Sequence, residues 1–152
     1  MTDWRALDTS AGVLPADAGL PLRVFGSPFL LKVSGADSHG GVALLTASFA
    51  PGTGARDHLH RGHDEIFYVL DGEFRFRVGD DHIEGGAGDL CFAPRDAAHG
   101  FQNIGAQPGR LLGIIAPAGY EQHFVDIDGI TPSDETRAAL AEIFAKYDQE
   151  PA

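Results

Sequence analysis

Residues 52–72 run GTGARDHLHRGHDEIFYVLDG. Three histidines, His58, His60 and His63, fall within six residues and are followed by Glu65. In an extended chain, side chains two apart point to the same side, so His58 and His60 share a face. Glu65 opens an apolar run of strand length after a short turn, which can bring its carboxylate beside the two imidazoles. Asp71-Gly72 supplies the positive φ of a tight turn and predicts a hairpin. In its second arm Phe74, Phe76 and Val78 alternate with Arg75 and Arg77. That alternation describes one buried face and one wet face.

The same texture extends outward in both directions. Short apolar runs separated by Gly, Asp and Pro predict strands near 29–34, 42–50, 56–60, 65–70, 73–78, 82–84, 89–93, 99–103 and 110–116. Such spacing, with 20 glycines in the chain, argues for an all-β antiparallel sandwich or barrel. Residues 1–21 read as an irregular lead-in rich in Pro and Gly, 22–128 as the barrel, and 129–152 as a helical tail. Thr131 reads as the N-cap of that helix with Pro132 at its first position. Leu140, Ile143, Phe144 and Tyr147 follow at helical spacing, so one face must pack on the barrel or on a partner.

A second stretch, residues 88–103, runs GDLCFAPRDAAHGFQN and carries His99. If the strand of His99 lines the same interior, three imidazoles and one carboxylate meet, a donor set suited to a first-row divalent metal. The absence of thiolates in that set argues against iron–sulfur clusters and soft copper(I) sites. The alternative is a histidine-rich solvated turn. The spacing weighs against it. Gly52, His58, His60, Glu65 and Gly72 are separated by five, one, four and six residues, and Gly88, Pro94, His99 and Asn103 follow in order.

These nine positions resemble the two motifs of the cupin superfamily. One position departs: Asp96 stands where the family has a glycine, and Asp tolerates unusual φ better than most residues. The resemblance covers about residues 22–125. It implies a double-stranded β-helix, a small jelly-roll barrel, here followed by a short C-terminal α-helix. It also implies a single divalent transition metal ion (Fe, Ni, Mn, Co or Zn) held by His58, His60, Glu65 and His99. A narrower likeness, to small single-domain cupins resembling quercetinase-type dioxygenases, rests on residues 116–124. It implies a catalytic role for Glu65 as proton acceptor.

Other residues separate by parity. Phe67, Val69 and Phe101 share parity with Glu65 or His99 and are expected, with Phe92, to wall the pocket. Tyr120 is a candidate cap of the barrel mouth. His63 reads as an exposed residue or one just behind the ligands. His39, His82 and His123 read as surface histidines, Cys91 as a buried small hydrophobe, and Asn103 as a turn former.

Composition bounds the partners. The 11 basic and 22 acidic side chains give a net charge of −11, which excludes nucleic-acid backbones and polybasic membrane contacts. A single cysteine excludes an intrachain disulfide. With no apolar run near membrane length and no basic-then-apolar leader, a cytoplasmic chain is the expectation. Four protein ligands leave positions open for a substrate. The aromatic wall favours a small apolar or aromatic enolic molecule, and an oxygenase is the first reading. A non-redox isomerase, cyclase or lyase, and a non-enzymatic binding barrel, are the alternatives. The resemblance further implies a homodimer, paired through sheets or through an exchanged strand such as 29–34.

Overall fold

The computed structural model describes residues 12–152. Eleven strands and two short helices follow in the order β1 (Leu20–Val24), β2 (Ser27–Val33), β3 (Ala43–Phe49), β4 (Gly54–Leu59), β5 (Asp64–Asp71), β6 (Glu73–Val78), β7 (Asp81–Gly86), β8 (Leu90–Ala93), β9 (His99–Asn103), β10 (Gly109–Ala116), α1 (Glu121–Asp126), α2 (Arg137–Lys146) and β11 (Glu150–Pro151). Two antiparallel sheets face each other, one ordered β1-β2-β3-β10-β5-β8 and the other β11-β4-β9-β6-β7. From β3 to β10 the chain crosses between the sheets at almost every turn, the winding of a double-stranded β-helix, and only β6 and β7 stay together as a hairpin.

That winding corrects one expectation. Asp71-Gly72 does not close a hairpin: β5 pairs with β10 and β8, while β6 pairs with β7 and β9. Gly72 does take φ +92°, and a Cβ there would lie 2.8 Å from the Gly109 Cα. The positive-φ reading is correct, but a turn residue specifies a change of direction and not which sheet receives the next strand. β6 instead folds back on β7 through a hairpin turn at Gly79-Asp80, with Val78 opposite Asp81.

Alternation along the strands builds the core. Ala43, Leu45, Ala47 and Phe49 of β3, Leu111 and Ile115 of β10, Val69 of β5, and Phe74 and Phe76 of β6 are all buried. At the end away from the histidines the space between the sheets is filled by phenylalanine rings: Phe101 lies 5.0 Å from Phe49, 5.1 Å from Phe67 and 6.1 Å from Phe76. β1 has no counterpart among the expected strands. Its Pro21 weakens the signal, but proline is tolerated because β1 is an edge strand, where Leu22 and Val24 bury against β2. The first eleven residues of the expected lead-in lie outside the described residues.

The tail also differs from expectation. The helix begins at Arg137 rather than beside Pro132, and its N-cap is Thr136, not Thr131. Ser133 and Thr136 form a local turn in which the Thr136 hydroxyl donates to the Thr131 carbonyl at 2.8 Å, so it makes no cap bond to the helix. α2 packs on this chain's own barrel through Leu140, Ile143, Phe144 and Tyr147. α1 was not expected, although Tyr120, His123, Phe124 and Ile127 stand at i, i+3, i+4 and i+7, the spacing of a helix face. Among the described residues no helix is long and apolar enough to cross a membrane.

Candidate metal centre

His58 lies one residue before the end of β4, His60 follows the strand directly, and His99 opens β9, the strand paired with β4 at His58–His99. Glu65 opens β5 in the opposite sheet. The four side chains therefore reach inward from both walls at one end of the barrel, and their candidate ligand atoms lie within 4.8 Å of one another. All four are buried.

Backbone carbonyls orient two of the imidazoles by the same device. His58 Nδ1 donates to the carbonyl of Arg56 at 2.6 Å, and His99 Nδ1 to that of Ala97 at 2.9 Å. Each ring is pinned by the residue two positions before it, which leaves its Nε2 facing the interior. His60 has no partner at either nitrogen, although it is 1% exposed. Its main chain is fixed instead: the Asp96 N–H donates to the His60 carbonyl at 2.6 Å. Asp96 is the position where the family motif has glycine, and it takes φ +69°. Asn103, at the end of the second motif, is buried and clasps the loop behind the site. It donates to the carbonyls of Phe49 and Gln107 and accepts from Gly105.

Glu65 is the electrostatic centre. Burial opposes its charge, but His63 and His99 hold its carboxyl well below the usual range. His99 Nε2 lies 2.9 Å from Oε2, and His63 Nε2 and His60 Nε2 lie 3.5 and 3.8 Å from Oε1. Burial lowers His58 and takes His60 down to about 3, so both rings are neutral near pH 7. In His99 burial acts downward but is outweighed by Glu65, and its pKa is raised. Neutral imidazoles at His58 and His60, an ionised carboxylate facing the His99 Nε2 and an orphaned buried ring suit a divalent cation. The donor set fits such an ion, and its mixture of imidazole and carboxylate fits first-row metals.

The surroundings only partly match expectation. Phe67 sits under the site, with its ring 6.2 Å from that of His99. Phe101 lies deeper among the phenylalanines, and Val69 is fully buried in the core. Phe92 does not wall the pocket: it is 52% exposed on the outer face of β8, because Cys91 and not Phe92 carries the inward parity. The Cys91 thiol is pushed up to about 11 by burial, which leaves it protonated and unreactive. His63 is buried beside Glu65 rather than exposed.

Tyr120 forms the roof. Its ring centroid is 4.3 Å from His60, 4.6 Å from His63 and 4.9 Å from His123, and its hydroxyl donates to Gln149. His123 is thus not a surface residue: α1 turns it inward behind Tyr120, where burial lowers it to about 4. Glu121, which the sequence reading passed over, is buried and accepts from the Gly35 and Gly119 amides, tying this roof to the end of β2. The C-terminus straps the same region. Arg61 makes a two-pronged pair with Glu150 and its N–H donates to Asp148, while β11 adds a short strand to β4.

The Cupin domain family matches residues 45–115, the span holding both motifs and all four candidate ligands. The chain is 34% identical over 65 residues to an oxalate-binding protein of Thermotoga maritima, covering 43% of this chain and 54% of that one. It is 26% identical over 68 residues to quercetin 2,3-dioxygenase of Bacillus subtilis, covering 45% of this chain and 20% of the other. The chain thus spans about half the length of the first relative and a fifth of the second. The crystal structure of a predicted oxalate decarboxylase from Thermotoga maritima superposes with a TM-score of 0.64 at 24% identity, covering 70% of this chain and 99% of that one. At that identity the likeness is one of fold.

Proposed function

The chain belongs to the cupin superfamily, and from that premise we propose that it is a metal-dependent oxygenase of a small enolic molecule. The observation that carries the reading is the meeting of four buried ligand atoms within 4.8 Å. His58, His60, Glu65 and His99 hold the ion. Bound there, a divalent metal supplies Lewis acidity and open positions for a chelating oxygen pair and for dioxygen.

The chain's own residues do the rest. Glu65, kept ionised in a buried site, is the proton acceptor for the enol hydroxyl, and catalysis by a positioned base of this kind is worth about 10²–10⁴-fold. His63 faces Oε1 and holds the carboxylate in place. Phe67 below and Tyr120 above exclude water and offer flat apolar surfaces to a planar substrate. The likeness to quercetin 2,3-dioxygenase over this span is consistent with that substrate class.

The test is oxygen uptake. Metal-free protein is loaded separately with Fe(II), Ni(II), Mn(II) and Co(II) and offered flavonol-like and other enolic compounds. Metal-dependent oxygen consumption, lowered at least about 100-fold by Glu65→Gln with metal still bound, supports the reading. Unchanged turnover in that variant removes Glu65 from its role. The 34% identity to an oxalate-binding protein favours a second reading, in which the same ion holds a small carboxylate without oxidising it. Tight binding of oxalate with no turnover, or turnover under strict anaerobiosis, would select non-redox chemistry instead.

A further inference from the structure

The candidate metal centre is almost closed to water. His60 is 1% exposed, His99 2% and Glu65 5%, and His58 and the overlying Tyr120 are buried as well. An ion or a small molecule must still reach these groups, so some part of the wall moves. Entry from below is blocked by the packed rings of Phe49, Phe67, Phe74 and Phe101. Entry through the sides breaks the hydrogen-bonded ladders of β4 with β9 and of β5 with β8. The roof is held differently. Glu121 fixes the backbone beside Tyr120 through the Gly35 and Gly119 amides. The Tyr120 side chain itself is held by ring contacts and by the hydrogen bond from its hydroxyl to Gln149 Oε1 at 2.7 Å.

We propose that Tyr120 is the gate to the histidine cluster and that residues 148–152 are the latch that keeps it shut. As the way in for metal and substrate, the gate rests on the proposed metal-dependent function. The latch is built onto the stretch that carries two of the candidate ligands. Glu150 and Pro151 pair with Leu59 and His58. The Ala152 N–H donates to the Asp57 carbonyl at 3.2 Å, and the Arg61 N–H donates to Asp148 at 3.0 Å. The Arg61 guanidinium grips the Glu150 carboxylate with two bonds of 3.0 Å each. Between these anchors Gln149 reaches Tyr120. The anchors are weak enough to release. β11 is two residues long, and the Arg61 and Glu150 side chains stand about half exposed, where water competes for the pair. With the latch away, Tyr120 loses its hydroxyl partner. Rotation of its side chain then uncovers His60 and His63, against which its ring rests. Such a movement admits a ligand and afterwards shuts water out.

The rates at which metal enters and leaves test the gate apart from any turnover. Metal-free full chain is mixed with Co(II) in a stopped-flow instrument and, once loaded, is challenged with excess EDTA. Gln149→Ala combined with Glu150→Gln is expected to speed both loading and extraction by about tenfold or more, the effect of losing a few ordinary hydrogen bonds. The equilibrium affinity is expected to stay the same, because the gate lies on both paths. Glu84→Gln, which breaks an exposed pair with Arg75 on the outer face of the other sheet, is expected to change neither rate. Glu150→Gln alone repeats the comparison if the double variant loses its unfolding transition. Co(II) rates equal to wild type in the latch variant overturn the proposal, as does acceleration by Glu84→Gln. A second readout needs no metal. In the metal-free chain, diethyl pyrocarbonate is expected to modify His60 and His63 faster in the latch variant, as followed by mass spectrometry. A chain that takes up no Co(II) overturns the metal-dependent function and leaves the gate to this readout, where equal modification of the two proteins overturns it.

Discussion

At the scale of single residues, the two motifs identified the four groups that meet, but not what holds them. The pattern records His58, His60, Glu65 and His99. It does not record that a carbonyl two residues back pins two of the rings, because that bond depends on backbone geometry and not on residue type. His63 is the informative case. Its parity placed it on the side of Glu65, and the structure buries it with Nε2 3.5 Å from Oε1. Removing such a supporting group typically costs about 10–100-fold in metal affinity. We expect that loss in His63→Ala, measured by competition with a chromogenic chelator, and partial recovery in His63→Gln, whose amide can still donate. Equal affinity in all three proteins would contradict the role. His123 escaped the sequence reading because its motif context is empty. Only the helical spacing of Tyr120, Phe124 and Ile127 signals that it turns inward.

The buried histidines also set a pH dependence. His60 and His123 are held neutral by burial, with pKa values lowered to about 3 and about 4. Their unfolded pKa is near 6.5, so below that pH the unfolded chain binds protons that the folded chain refuses. Stability therefore falls as pH drops below 6.5, by about 1.4 kcal/mol for each such histidine per pH unit. His99, raised by Glu65, acts oppositely and offsets part of the loss. For metal-free protein the unfolding midpoint is expected to fall by several degrees between pH 7 and pH 5.5. A flat or rising midpoint would contradict the burial of these rings as neutral groups.

At the scale of elements, nine expected strands correspond to β2 through β10, because alternation and turn residues are local signals. What failed was partnership. The Asp71-Gly72 turn looks the same whether the next strand folds back or crosses to the facing sheet, and long-range pairing with β10 and β9 decides it. Gly54, like Gly72, marks such a close long-range approach. At Gly54 a Cβ would lie 2.0 Å from the Phe101 carbonyl oxygen. Gly54→Ala must therefore push β4 from β9, the two strands that carry His58 and His99. Destabilisation of about 2 kcal/mol or more is expected in urea unfolding, together with weaker metal binding. A variant as stable as wild type would show that the two strands have more room than the structure gives them.

At the scale of the whole molecule, the fold class was legible because the motif glycines and histidines fall at strand ends, where a wound β-helix needs turns and offers side chains to one mouth. The interior was less legible. Of the aromatic residues expected to wall a pocket, Phe101 lies deeper among the barrel's phenylalanines and Phe92 stands on the outer face, while Phe74, which was not expected there, is wholly buried. Phe74→Ala is expected to cost about 3–5 kcal/mol, as for other buried phenylalanines, and a loss below about 1 kcal/mol would argue against close packing there. The buried cluster at the mouth is the feature from which any activity of the barrel would follow. Equilibrium dialysis of the metal-free chain against Co(II), with metal and protein quantified in the same sample, is predicted to give one ion per chain in the wild type and none in a folded His58→Ala/His60→Ala variant. Equal retention by the two proteins, or none by either, would contradict it.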